Sequence, residues 1–307
     1  MRSVTVTTDE LLLRRLGHHV TQCSGLESAT RTRQKKPESC YKDPERGDKH
    51  KMNTISSGDG RMIDAKQTPA VLIRTLGAFR VIRDGTPVSG TVWQSKKARD
   101  LLKILIARRA ATTREQLVEL LWPEVDPAKA GNRLSMLLQT VRNVLQRHAY
   151  VGPLASDGSV VWLDRMQVRV DVEEFLTDAI NALAAGRGDV AAPDAAARLT
   201  AALAAYTGDF LEDDAHADWA TSLAEEARAI HIALLRTLAA RLQRTGDIDG
   251  AIQYLLRLLR QDPFDEQAHL DLVDMQLDVG HLSEARRQYD VYVQRMKEIE
   301  VHPHPLL

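Results

Sequence analysis

Aromatic residues make up only 5% of this 307-residue chain, and it has only two cysteines, Cys23 and Cys40. The cysteines stand 17 positions apart in a polar stretch. That spacing is neither a CxxC pair nor a disulfide framework, and a reducing compartment is the default expectation. No apolar run approaches the ~20 residues that cross a bilayer. The apolar stretch near the amino terminus, Leu11 to Leu13, is followed at once by Arg14 and Arg15. A secretory signal needs about 7–15 apolar residues there, so a cytoplasmic protein is expected. The familiar catalytic signatures are missing too. There is no GxxxxGK[ST] loop, no strand-GxGxxG-helix unit, no HExxH and no GxSxG. His216 lies near Asp218 without a third ligand, and His302 and His304 flank Pro303 near the end. We therefore expect no enzyme, no cofactor and no metal.

The chain also lacks net charge, at −1, but that balance hides an asymmetry. Residues 69–150 carry +8 and residues 166–307 carry −12. A basic segment of that size raises nucleic acid as a partner, since Lys and Arg bind phosphate by releasing counterions. A solvated basic surface is the plainer alternative.

Residues 1–68 read as a weakly ordered or disordered tail. They have few apolar residues and no sustained period, so little surface is available to offset chain entropy. Met52 and Met62 are alternative starts.

Residues 69–165 read as short strands, three helices and a hairpin. VLIRTL and AFRVI are β-rich, and Asp84-Gly85 signals a turn, which makes a small antiparallel sheet. A helix is predicted over 95–108, with Ala98, Leu101, Leu102, Leu105 and Ile106 at helical spacing. Thr113 and Gln116 form a capping box for a second helix, which Pro123 ends. Pro127 suits the first turn of a third helix running to about 147. Leu134, Leu138, Val141 and Leu145 share its core face. The opposite side carries Asn132, Met136, Gln139 and Asn143, flanked by Lys129, Arg133, Thr140 and Arg147. No acidic residue occurs between Asp126 and Asp157. Amides pair with adenine edges and arginine pairs with guanine or phosphate, so this face suits the major groove. Asp157-Gly158 between apolar runs closes the segment with a hairpin, the wing of a winged helix-turn-helix. By this reading residues 69–165 alone suffice for DNA contact.

Residues 166–307 read as helical. Gly246 and Gly280 are 34 apart, as are Ala251 and Ala285, and Pro263 follows Ala251 by 12. That interval is the tetratricopeptide period. The expected fold is therefore mainly α with small β elements: a winged helix followed by an all-α, tetratricopeptide-like repeat. The acidic half would offer a protein-binding surface, or would only support the fold.

With these elements in order, WQSKKARDLLKILIARR, ELLWP followed by DP, and the Arg142/Leu145 pattern resemble the OmpR/PhoB-type winged helix. AYTGDFL, GDIDGAIQYLLRLLRQDPFDEQAH and GHLSEARRQYDVYVQRMKEIEVHP resemble a bacterial transcriptional activator domain. Together, over about 69–307, the chain is similar to the Streptomyces antibiotic regulatory protein family of transcriptional activators. The resemblance implies that the third helix, 129–147, reads the major groove and that the wing, 152–160, touches the minor groove. It implies that the loop Pro123, Glu124, Val125, Asp126 and Pro127 faces the sigma or alpha subunit of RNA polymerase. It also implies tandem binding at promoter direct repeats, a homodimer on DNA and a place at the nucleoid. Two departures stand out: the wing has no Lys or Arg between Val151 and Asp164, and Thr140 stands where relatives often carry a basic residue. The competing reading is a tetratricopeptide-type adaptor whose winged helix does not read DNA.

Overall fold

The computed structural model describes residues 71–125, 127–146, 152–186 and 193–305. The expected tail 1–68, Asp126 and Arg147 lie outside the described residues, as do the side chains of Pro127 and Lys129.

The fold is mainly helical with small sheets. Strands β1 (Val71–Arg74), β2 (Arg80–Arg83) and β3 (Thr86–Pro87) form an antiparallel run. Asp84 and Gly85 between β2 and β3 both have positive φ, 53° and 78°. That is the backbone a two-residue hairpin turn needs, and it explains the Asp-Gly pair. Helix α1 (Lys96–Arg108) starts at Ser95, whose hydroxyl accepts from the Ala98 N–H. β4 (Thr112–Thr113) leads into α2 (Arg114–Leu121), where the Thr113/Gln116 capping box is present in both directions. Lys97 Nζ donates to the Leu121 carbonyl at 2.6 Å and closes the other end of α2. Helix α3 (Pro127–Leu145) buries Leu134, Leu138, Val141 and Leu145. They meet Leu101, Leu105 and Ile106 of α1 and Leu117 and Leu121 of α2 in one apolar core. The hairpin follows as β5 (Leu154–Asp157) and β6 (Val160–Leu163), with β4 completing a three-stranded sheet on the other side of β6.

One feature of the sheet was not expected. Strand β7 (Val168–Val170), the short run that opens the second half, pairs in parallel with β1. The first sheet is therefore mixed, in the order β3-β2-β1-β7. A parallel pair requires a long crossover, here everything from β2 through α1, α2 and α3 to β6, so no local pattern announces it. Val71 and Ile73 are buried beneath this pairing.

The helical half contains α4 (Asp171–Gly186), α5 (Pro193–Ala205), α6 (Asp218–Thr245), α7 (Ile248–Gln261), α8 (Glu266–Asp278) and α9 (Leu282–Glu298). Consecutive helices pack as neighbours from α6 to α9. Gly246 and Gly280, with φ of 83° and 80°, end α6 and α8 in the left-handed conformation that glycine adopts most readily. Ala251 and Ala285 are buried one 34-residue period apart, where small side chains let the helices approach.

The halves meet over a continuous seam. Asp171, at the start of α4, accepts from Thr75 N–H (2.7 Å), Thr75 Oγ1 (2.6 Å) and Leu76 N–H (3.2 Å). Residues beyond α5 run beside the end of β1. Gly77 N–H donates to the Asp209 carbonyl, Leu211 N–H to Thr75, and Leu76 bridges Phe210. A Cβ on Gly208 would stand 2.9 Å from Gly77 Cα, so the two backbones approach this closely only because residue 208 is glycine, while at Gly77 it is the φ of 83° that favours glycine.

Candidate nucleic-acid interface

Helix α3 forms the candidate site. Its 3.6-residue period places Asn132, Arg133, Met136, Gln139 and Asn143 on the exposed side, opposite the buried leucines. Met136 is 73% exposed, an unusual position for a thioether on a helix whose other face is packed. Gln139 Nε2 donates to Asn143 Oδ1 at 2.9 Å, which sets the two amides one turn apart in a fixed orientation. Thr140 is half-buried, and its hydroxyl donates to the Met136 carbonyl at 3.1 Å. Arg133 is exposed and makes no ion pair among the described residues. Of the residues expected on this face, Lys129 and Arg147 are those whose side chains are not described.

Three arginines hold α3 in place, and the sequence pattern did not single out these contacts. Arg83 of β2 donates through Nη1 to the carbonyls of Asn143, Val144 and Gln146, at 3.4, 3.3 and 3.0 Å. These are orphan acceptors at the end of a helix, where a cation also complements the helix dipole. Arg114, the first residue of α2, donates to Ser135 Oγ at 2.7 Å. Arg142 donates to Ser156 Oγ at 2.8 Å and ties α3 to the wing strand β5. The Arg83 contact joins residues about 60 apart, and no local signal reports it.

The loop before α3 shows Pro123 and Glu124 exposed and Val125 half-buried, with Val125 N–H donating to the Trp122 carbonyl. The exposed rim of the wing, Ser156 to Ser159, carries no cation. His216 is exposed, and the His304 backbone is engaged by the hydroxyls of Tyr289 and Tyr292. Among the described residues no group of three or more His, Cys, Asp or Glu is placed to hold a metal ion. Among them, too, no helix is long and apolar enough to cross a membrane.

Residues 170–307 match a family model described as the bacterial transcriptional activator domain. No curated protein matches the chain. Among solved structures the chain is similar to Mycobacterium tuberculosis EmbR, determined in complex with a low affinity phosphopeptide. The TM-score is 0.61 at 24% identity, over 77% of this chain and 62% of that one. At that identity the likeness concerns the fold, and the chain spans less than two thirds of the other protein's length.

Proposed function

We propose that this chain is a transcriptional activator that binds promoter DNA through α3 and engages other proteins through its helical half. The observation that carries the reading is the acid-free, exposed face of α3, backed by a well-packed core and framed by a helix-turn-helix and a hairpin. In this reading Gln139, Asn143 and Asn132 meet base edges, and Met136 packs against thymine methyls. Arg133, Lys129, Thr140 and Arg147 hold bases or phosphates beside them. Residues 123–127, from Pro123 through Glu124, Val125 and Asp126 to Pro127, are the surface offered to RNA polymerase, through its sigma or alpha subunit. Protomers sit in tandem, or as a homodimer, on direct repeats, and the protein works at the nucleoid in the cytoplasm. No cofactor and no catalytic step enter this account. The match of residues 170–307 to an activator-domain model supports it.

The test uses the full chain on duplex fragments from its own genome. Affinity should fall steeply between low and physiological salt, as phosphate neutralisation requires. Gln139→Ala and Asn143→Ala should each remove about 1–3 kcal/mol of discrimination between the selected site and a random duplex. Arg133→Ala should weaken both duplexes alike. Salt-independent affinity would instead favour the adaptor reading.

A further inference from the structure

The outward face of the first sheet combines apolar side chains with two cations. Side chains alternate along a strand, so the buried Val71, Ile73 and Val81 share one face and Leu72, Arg74, Arg80 and Ile82 share the other. Leu72 faces Ile82 and Arg74 faces Arg80 across the β1–β2 pair, and Pro87 of β3 lies opposite Ile82. Leu72 and Ile82 are half-buried, while Arg74, Arg80 and Pro87 are exposed. Like charges directly opposite on two strands repel. Neither arginine has an ion pair among the described residues.

The last helical pair carries the converse. Helix α8 ends with Asp274 and Asp278 one turn apart, both exposed. Neither has an ion pair among the described residues. Like charges at i,i+4 repel, and the helix dipole also opposes a carboxylate in a last turn. Beside them Leu277 is half-buried, Val279 is 39% exposed, and Leu282, the first residue of α9, is 67% exposed. Each patch is electrostatically unfavourable by itself, and each holds the charge the other needs. Within one chain the four charges do not pair.

We propose that the outward face of the first sheet docks the α8–α9 turn of a second copy of this chain. Arg74 and Arg80 meet Asp274 and Asp278, and Leu72, Ile82 and Pro87 cover Val279 and Leu282. The contact is heterologous: each copy gives one patch to one neighbour and the other patch to the next. Copies in the same orientation need such a contact, because a two-fold contact turns one of them round. The proposal thus deepens the tandem arrangement on direct repeats proposed above and rests on that reading for its place on DNA. So few side chains fall short of the roughly 20–30 residues a side of a stable interface, so the contact by itself is weak. Two sites on one duplex raise the effective concentration to about millimolar, where a weak contact suffices. Phosphate would also suit two arginines, but it would leave Leu72, Ile82 and Pro87 uncovered and the two carboxylates unanswered.

The experiment is sedimentation equilibrium of the full chain without DNA, at low salt and up to about 1 mM, the concentration that neighbouring sites impose. We expect reversible association that weakens as salt rises. Arg74→Glu/Arg80→Glu and Asp274→Lys/Asp278→Lys should each weaken it about tenfold or more, since like charges then face one another. Mixing the two variants should restore it, because each keeps the patch that the other has lost. Every substituted side chain is exposed, so both variants should melt near the parent. If either does not fold, Arg80→Glu or Asp278→Lys alone takes its place. A parent that stays monomeric, association that survives either reversal, or no recovery on mixing overturns the proposal. A short duplex with a single binding site is then added to the parent. Loss of the association on duplex binding would make Arg74 and Arg80 phosphate ligands and overturn the proposal as well. Failure of the duplex to bind would count against the function proposed above and leave this contact standing.

Discussion

The amino-terminal half packs three helices and small sheets around one core and carries +8 over residues 69–150. The helical half stacks neighbour on neighbour and carries −12 over residues 166–307. The difference bears on more than the choice of partners, because opposite charges also build the seam. Lys103 of α1 pairs with Asp214, Arg109 with Glu226, and Thr75 and Leu76 donate to Asp171. In each case the donor comes from the amino-terminal side and the carboxylate from the acidic half. Local order in the helical half comes from nearest neighbours, as in other repeat folds. The amino-terminal half borrows β7 and the 207–211 segment to finish its sheet.

The largest test of that asymmetry is to cut it. A fragment of residues 69–165 loses β7, every acceptor on Asp171 and the Lys103 partner, and leaves Val71 and Ile73 at an open edge. Net domain stabilities are only about 5–15 kcal/mol. We expect the fragment to show no cooperative thermal transition by circular dichroism. A fragment of 69–186, which keeps β7 and α4, should regain much of it. A cooperative melt of 69–165 near the full chain's midpoint would show that the seam is incidental to the amino-terminal half, and would restore the expectation that this segment suffices by itself.

Next in size is Lys103, 7% exposed, with Asp214 as its ion-pair partner and its ammonium 5.0 Å from the Phe79 ring centre. Removing one member of a buried pair leaves an uncompensated charge, at about 3–5 kcal/mol. Lys103→Met should lower the urea midpoint accordingly with an unchanged slope. The double variant Lys103→Met/Asp214→Leu should recover most of the loss. Arg109→Ala breaks a pair that water already screens and should cost less than about 1 kcal/mol. Equal costs for the two single variants would mean that burial does not rank the seam contacts.

Much of this architecture was legible because its signals are short-range. The Thr113/Gln116 box, the Asp157-Gly158 turn and the paired Gly246 and Gly280 each report on residues within a few positions. The exposed face of α3 was legible for the same reason, since periodicity and missing carboxylates lie on one helix. The seam was not. Thr75 and Asp171 are 96 residues apart, and β7 looks in sequence like an isolated VRV run. The Asp171 carboxylate caps its own helix through the Val172 N–H, which is all that local reading could assign to it. The division at 165/166 followed the change in charge and periodicity; across it the chain leaves the β4-β6-β5 sheet and returns as β7 to the sheet that β1 began.

The helical half also has its own acid sensitivity. His231 of α6 is 4% exposed and stacks on Tyr206 with ring centres 4.0 Å apart. Burial first, and then the Arg257 charge, hold its pKa down to about 4 from the ordinary 6.5, against the opposing pull of Asp209. The unfolded chain therefore binds a proton that the folded chain refuses between these values. The stability it contributes is complete above pH 6.5 and declines as pH falls toward 4. One pKa unit is worth about 1.4 kcal/mol, so roughly 2 kcal/mol should be gone by pH 5. Urea unfolding of the full chain at pH 7 and pH 5 measures this, and His231→Phe should flatten the difference. An undiminished pH dependence in that variant would place the sensitivity elsewhere.

The smallest expected effect lies within the amino-terminal half, at Arg83. Its guanidinium links the first sheet to the end of α3, through three carbonyls at 3.0–3.4 Å. Two of those bonds are long, and the site is partly open to solvent, so the net worth is that of a helix-end cation, about 0.3–1 kcal/mol. Arg83→Met keeps the aliphatic stem and removes the donors. It should lower stability by no more than about 1 kcal/mol in urea titration. Its consequence for geometry should be larger than its energy, because the carbonyls it holds include that of Asn143 itself. Amide exchange at Val144, Leu145 and Gln146 should rise while Leu134 and Leu138 stay protected, which would place the loosening at the end of α3. If exchange rises equally along the whole helix, Arg83 supports the core in general and does not aim the helix end. If exchange does not change at all, the three carbonyls are satisfied by water in its absence.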